Sequence, residues 1–193
     1  MSVPVRCTCG AVRGELDPRA AYARVVCYCR DCRAFARALG RPDMLDAAGG
    51  TDIITMRPAG LRLLEGRDQV ACLSLSPKGP LRWYTACCST AIGNTARNPA
   101  FPYVGVPAHG LAAAGVDVAS AFGTRPMVVH ARSATAPVQR TPVRAGVGVA
   151  RIACGVLAAK LSRQRAHPFF EGGRPIAEPR VLSRQERDAA TRD

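Results

Sequence analysis

Cysteine is the residue type whose number and spacing in this chain can do chemistry. The stretch VVCYCRDCRAFARALG, Val25 to Gly40, sets Cys27, Cys29 and Cys32 in a C-x-C-x-x-C pattern. Near the start, CTCG sets Cys7 and Cys9 in a C-x-C, and TACCST sets Cys87 and Cys88 side by side. Thiolates are soft ligands, and a backbone that reverses between two of them presents both sulfurs to one ion such as Zn²⁺. The simplest partition is two zinc sites, one from Cys27, Cys29 and Cys32, the other from Cys7, Cys9, Cys87 and Cys88. Four protein ligands close a tetrahedral structural site, whereas three leave a position for water or substrate. The triplet is therefore the site expected to be open. A centre of three thiolates carries net negative charge, which weakens it as a Lewis acid toward water but leaves it able to exchange a thiol ligand. That suits a sulfur-containing substrate. The same spacing also serves a closed zinc site completed by His109 or His130, or a redox C-x-x-C of Cys29 and Cys32 at a helix N-terminus. Cys72 and Cys154 lie in apolar segments without a partner and read as small buried hydrophobes.

The elements that must position these thiols are short. VRCTC and AVRGEL read as a hairpin about Gly10, and YARVVC as a further strand. DCRAFARAL has helical period, with Asp31 as its cap and Gly40 and Pro42 as its stop. The triplet thus falls where a strand becomes a helix. TDIITM, LRLLEG, VACLSLS and LRWYTACCSTAIGNT follow as strand candidates separated by turns too short for crossover helices. The expectation is a mainly β fold with mainly antiparallel pairing, a domain over residues 1–125 and a C-terminal helical extension over 126–193. In that extension Arg144 to Arg165 reads as an amphipathic helix, and AHPFFEGGRPIAEPRV as too rich in Pro and Gly for regular structure. Ser183 and Glu186 have capping-box spacing, so a short final helix should start at Ser183.

Nine cysteines in odd number argue against a complete disulfide framework, and MSVPVRCTCGAVRG has no basic segment followed by an apolar run. The chain reads as cytoplasmic. Its formal net charge is +13, but the arginines are scattered, and no basic run with interleaved aromatics marks a nucleic-acid surface. The apolar core of the long C-terminal helix, Val147 to Leu161, is shorter than the ~20 residues a membrane span needs. Docking of that helix on the domain or on a second subunit of a homodimer is the favoured use, and resting on an anionic membrane the lesser one.

Three segments in order, CTCGAVRGEL, VVCYCRDCRAFA and RWYTACCSTAIGN, together resemble the glutathione-dependent formaldehyde-activating enzyme family, which also includes centromere-protein-V-like proteins. The resemblance spans about residues 5 to 106. It implies a tent-like fold of twisted antiparallel sheets with a structural and a catalytic zinc. It also implies carbon-sulfur lyase chemistry, the interconversion of formaldehyde plus glutathione with S-hydroxymethylglutathione. Carried over by position, Cys27, Cys29 and Cys32 match the catalytic ligands, and Cys7, Cys9 and Cys88 match three structural ones. Thr85 stands at the fourth structural position, with adjacent Cys87 as the substitute, and Tyr28 replaces a His between the first two catalytic-site cysteines.

The expected activity is zinc-dependent lyase chemistry on a thiol adduct of a small aldehyde. Arg30, Arg33 or Lys78 could hold an anionic group of the substrate, and Tyr28 and Trp83 could line the pocket. The rival from another class is a non-catalytic zinc module whose basic surface binds nucleic acid or protein.

Overall fold

The computed structural model describes residues 2–162 and 166–192. Arg163, Gln164 and Arg165, at the end of the expected long helix, lie outside the described residues. In chain order the strands and helices are β1 (Val3–Arg6), β2 (Arg13–Leu16), β3 (Ala21–Cys27), α1 (Arg30–Ala38), β4 (Thr51–Met56), β5 (Leu61–Glu65), β6 (Val70–Ser74), β7 (Leu81–Thr85), β8 (Ala91–Thr95) and β9 (Val104–Pro107). They continue as α2 (His109–Ala113), α3 (Val118–Phe122), β10 (Met127–Val129), α4 (Pro142–Leu161), β11 (Phe170–Glu171), β12 (Arg174–Pro175), β13 (Pro179–Val181) and α5 (Arg184–Thr191). The fold is mainly β, as the strand spacing implies, with a C-terminal helix.

The first hairpin turns through Gly10 at φ +81° and extends into a three-stranded sheet of order β1-β2-β5. The main sheet has eight strands in the order β10-β3-β4-β9-β8-β7-β6-β13. Its internal pairings are all antiparallel. Its two edges, β10 on β3 and β13 on β6, pair in parallel. Both edge strands come from beyond residue 126. The stretch that reads as an extension is therefore built into the sheet.

Strand alternation divides the side chains between two faces. On one face Leu81 and Trp83 join Ile54, Val104, Val106 and Leu16 in the principal core. Trp83 is fully buried, stacked on Phe169 at 4.7 Å between centroids, with Phe170 edge-on at 5.9 Å. The segment AHPFFEGGRPIAEPRV is regular, contrary to its composition. Gly172 and Gly173 take positive φ, 56° and 80°, and close a two-residue hairpin between β11 and β12. The pair of glycines that counts against regular structure in the sequence is the turn between these two strands.

The cap of α1 is Cys29, not Asp31: the Cys29 sulfur accepts from the Cys32 N–H at 3.4 Å, and Asp31 falls inside the first turn. At the other terminus the capping box forms, with Ser183 Oγ accepting from the Glu186 N–H at 3.2 Å and Glu186 Oε2 from the Ser183 N–H at 2.8 Å. Helix α5 packs on α1 in a second core cluster around Phe35 and Leu182.

Helix α4 starts at Pro142, earlier than its apolar core suggests. At 20 residues it is long and apolar enough, by length and composition alone, to cross a membrane. Its inner face rests on β3 and β10. Gly148 and Gly155 allow the approach, because a Cβ at Gly148 would collide with the Met127 side chain and one at Gly155 with the Tyr22 ring. Cys154, expected to be buried, is exposed on the outer face with Val143, Val147, Leu157 and Leu161. Apolar neighbours in sequence do not bury a residue when both helix faces are apolar and only one is covered. Gly155→Leu is expected to cost about 1–3 kcal/mol by overpacking. The readouts are a Tm lower by several degrees and faster hydrogen exchange confined to residues 142–161. Unchanged exchange there would rule out this seating of α4.

Candidate metal centres

The four sulfurs of Cys7, Cys9, Cys87 and Cys88 lie within 4.8 Å of one another. Cys7 and Cys9 are 3.5 Å apart, Cys9 and Cys87 3.3 Å, Cys7 and Cys87 3.9 Å, and Cys87 and Cys88 3.8 Å. A tetrahedral ion with metal-sulfur bonds of ~2.3 Å needs sulfurs roughly 3.8 Å apart, so the group fits one ion. Both adjacent cysteines join it. The backbone achieves this with a turn over residues 86–88 followed by Ser89 at φ 54°, one of two non-glycine residues with positive φ among those described.

Thr85 contributes a hydroxyl 3.3 Å from the Cys88 sulfur, and Thr90 contributes another at 3.2 Å. Burial pushes the Cys88 thiol up, but hydrogen bonds from Thr8, Thr85 and Thr90 outweigh it and hold the group down at about 4. Arg41 braces the turn by donating to the Cys88 carbonyl at 2.9 Å, to Asp43 at 2.7 Å and to His109 Nε2 at 2.5 Å. His109 is thereby spent beside the four-cysteine group and does not complete the triplet.

The sulfurs of Cys27, Cys29 and Cys32 also lie within 4.8 Å of one another, and no other His, Cys, Asp or Glu ligand atom among the described residues joins them. Cys27 ends β3, Cys29 caps α1 and Cys32 sits in its first turn. Thiol hydrogen bonds from Cys27 and Cys32 draw the Cys29 group down to about 2, against burial, with the Cys32 N–H and the charge of Arg82 assisting. The Cys27 thiol is pushed far up, chiefly because it donates to Cys29 and Cys32. One thiolate is stable here without a cation and three are not, so the donor set fits a bound metal ion.

A pocket of about 510 Å³ opens beside Cys27 and Cys32. Its floor is a row in register across four strands: Thr55 opposite Gly105, Gly105 opposite Asn94, Asn94 opposite Arg82. Gly105 supplies the space, since a Cβ there would meet the Tyr103 hydroxyl at 3.2 Å and Ile53 at 3.1 Å. The Tyr103 hydroxyl thus stands over the floor. Burial and the negative charge of Cys32 and Cys27 push it up to about 12, which keeps it a proton donor near neutral pH. Val149 and Ile152 of α4, with Val129 and His130 at the end of β10, form a wall. His130 lines the pocket but lies outside the group of clustered ligand atoms.

The other residues expected to line this site sit elsewhere. Tyr28 is buried with its hydroxyl donated to Asp46 at 2.8 Å and its ring against Gly50, so the ring anchors the 46–50 turn. Arg33 is buried and donates to the Tyr28 and Ser133 carbonyls at 3.0 and 2.5 Å, tying two loops together. Arg30 and Lys78 are exposed outside the pocket lining, and Trp83 is in the core on the opposite face. Arg82 and Tyr103 were missed. The signal for Arg82 was parity: if Trp83 points into the core, the residue before it on the same strand faces the other way.

Among solved structures, a Rhodobacter sphaeroides protein determined in a structural genomics programme aligns with 56% of this chain and 86% of its own length, at 19% identity and a TM-score of 0.40. No curated protein matches the chain. A family model matches residues 1–180, a span that takes in both cysteine groups, the pocket floor and its α4 wall, and the chain belongs to that family, described as a family of unknown function (DUF6151).

Proposed function

We propose that this protein is a zinc-dependent carbon-sulfur lyase acting on the thiol adduct of a small aldehyde. The observation that carries the reading is the asymmetry between the two groups. Four sulfurs surround one position, while the three-sulfur group borders, through Cys27 and Cys32, a pocket large enough for a substrate. The cysteine pattern shared with the formaldehyde-activating family supports the same assignment, with the four-cysteine site structural and the three-cysteine site catalytic. Tyr28 stands where that family often has His, but it lies off the pocket lining, so the replacement does not alter the substrate's walls.

In the reaction, R–S–CH₂–OH gives R–SH and CH₂O. The C–S bond breaks with its electron pair going to sulfur, the hydroxyl loses its proton as the carbonyl forms, and sulfur gains a proton overall. No oxidant or reductant is needed. Cys27, Cys29 and Cys32 would hold the zinc ion, which when bound would stabilise the thiolate that leaves. The chain's own groups do the rest. Tyr103 presents a neutral O–H above Gly105, where it can hold the adduct oxygen. The wall from α4 and β10 offers the body of the substrate an apolar surface beside these polar contacts.

Metal analysis is expected to find two zinc equivalents per chain. Cys29→Ser should lose about one equivalent with the fold retained, whereas Cys9→Ser should lose the other and lower Tm, because folding and binding are coupled at a structural site. After cobalt substitution, the visible spectrum of the triplet site should change on adding a thiol. A spectrum unmoved by thiols would show a closed site and favour a non-catalytic module.

Tyr103→Phe should keep both metals and reduce turnover of S-hydroxymethyl adducts by about 10²-fold. Exchange between adduct and free-thiol signals in NMR provides the measurement. Unchanged turnover would remove Tyr103 from the mechanism.

A further inference from the structure

Arg82 is 4% exposed, lies on the pocket floor, and has few partners for a buried cation. Its Nε has no hydrogen-bond partner among the described residues, Nη1 reaches Asn94 Oδ1 at 3.4 Å, and Nη2 stands 4.0 Å from the Asp31 carboxylate. The guanidinium rests over the Phe35 ring at 5.3 Å, which fixes its plane without satisfying its donors. The Nε and Nη2 edge is the one that pairs side by side with a carboxylate. Buried donors of this kind are ordinarily met by an acceptor; none of the described residues supplies one at Nε, and since Nε is itself closed to solvent, a ligand carboxylate reaches this edge only after a small turn of the guanidinium toward the pocket.

The rest of the lining narrows the ligand. Val25, Ile53, Phe101, Met127, Val129 and Ile152 make most of it apolar. Among the described residues no acidic side chain lines it, so a substrate ammonium group finds no partner there. Apart from His130, Arg82 is the only basic residue lining it among the described residues. A ligand with one anionic group and an otherwise apolar body matches this lining; a tripeptide thiol would find one cationic partner for its two carboxylates and none for its ammonium group among the described lining residues.

We infer that Arg82 is the anion receptor of this pocket and that the thiol half of the substrate is a compact mercapto acid, its carboxylate on Arg82 and its sulfur at the three-cysteine site. This rests on the open-site reading proposed above and adds the substrate class to it. Arg82 faces the cysteine cluster, the Asp31 carboxylate 4.0 Å from Nη2 and the bound carboxylate, and the fork geometry matters only for the last.

The test uses the full chain loaded with cobalt, with binding read from the visible spectrum. The probes are 3-mercaptopropionate, 3-mercaptopropionamide and glutathione. The parent protein is expected to bind the acid at least tenfold more tightly than either the amide or glutathione. Arg82→Lys keeps the positive charge and should retain cobalt, bind the amide within twofold of the parent, and lose the preference for the acid. Equal affinity for acid and amide in the parent, or tighter binding of glutathione, overturns the inference without any variant. So does an Arg82→Lys protein that releases cobalt or binds the amide much more weakly than the parent does, since Arg82 would then serve the metal cluster. If no thiol moves the spectrum, the open-site reading falls and this inference with it.

Discussion

Mutual repulsion among clustered thiolates is the constraint on which the structure turns. Seven of the nine cysteines lie in two groups whose sulfurs approach within 4.8 Å, closer than unpaired thiolates tolerate in a partly buried setting. Each group is stable as a set of thiolates only around a cation. Everything nearby is arranged to share that negative charge: three threonine hydroxyls at Cys88, the Arg41 clasp on the adjoining turn, and the N-terminus of α1 with Arg82 at the triplet. The two groups differ in how they complete this arrangement. One surrounds the charge with a fourth sulfur, and the other leaves it facing a pocket.

The turn from β3 into α1 makes the triplet possible. Cys27 is the last residue of the strand, Cys29 the cap and Cys32 part of the first turn, so the reversal between them is the capping geometry itself. A sulfur acceptor at the cap places its charge where the first N–H groups of the helix point and where the helix dipole is positive. The same residues therefore serve helix initiation and ligand placement, which is why a C-x-C-x-x-C spacing suffices to mark the site.

This also explains what could be read from the sequence. Ligand groups built by local turns leave a local pattern, and both cysteine groups, the first hairpin and the Ser183 capping box were visible as such. The pocket was not, because its floor is a row of residues from four strands, Thr55, Gly105, Asn94 and Arg82, brought together by register alone. Trp83 and Arg82 illustrate the cost of ignoring parity: the conspicuous aromatic is core, and its neighbour faces the site. Burial misled in the same way at Cys154, where an apolar neighbourhood in sequence became the uncovered side of a helix.

The distribution of walls and ligands bears on how far shared cysteine patterns speak to substrate. The sulfur ligands and the pocket floor come from residues 7 to 105, the span that carries the resemblance to the formaldehyde-activating enzymes. The opposite wall comes from Met127, Val129, His130, Val149 and Ile152, all later in the chain. A thiol bound at the triplet would have its sulfur handled by the first set and much of its body contacted by the second. Chemistry at sulfur can thus be shared across proteins with the same cysteine spacing, while selection of what is attached to the sulfur depends on β10, α4 and the glycines that let α4 approach. On the proposed reading, substituting the α4 wall would change which thiols enter without touching a cysteine of either group, so the two properties could diverge independently on this fold.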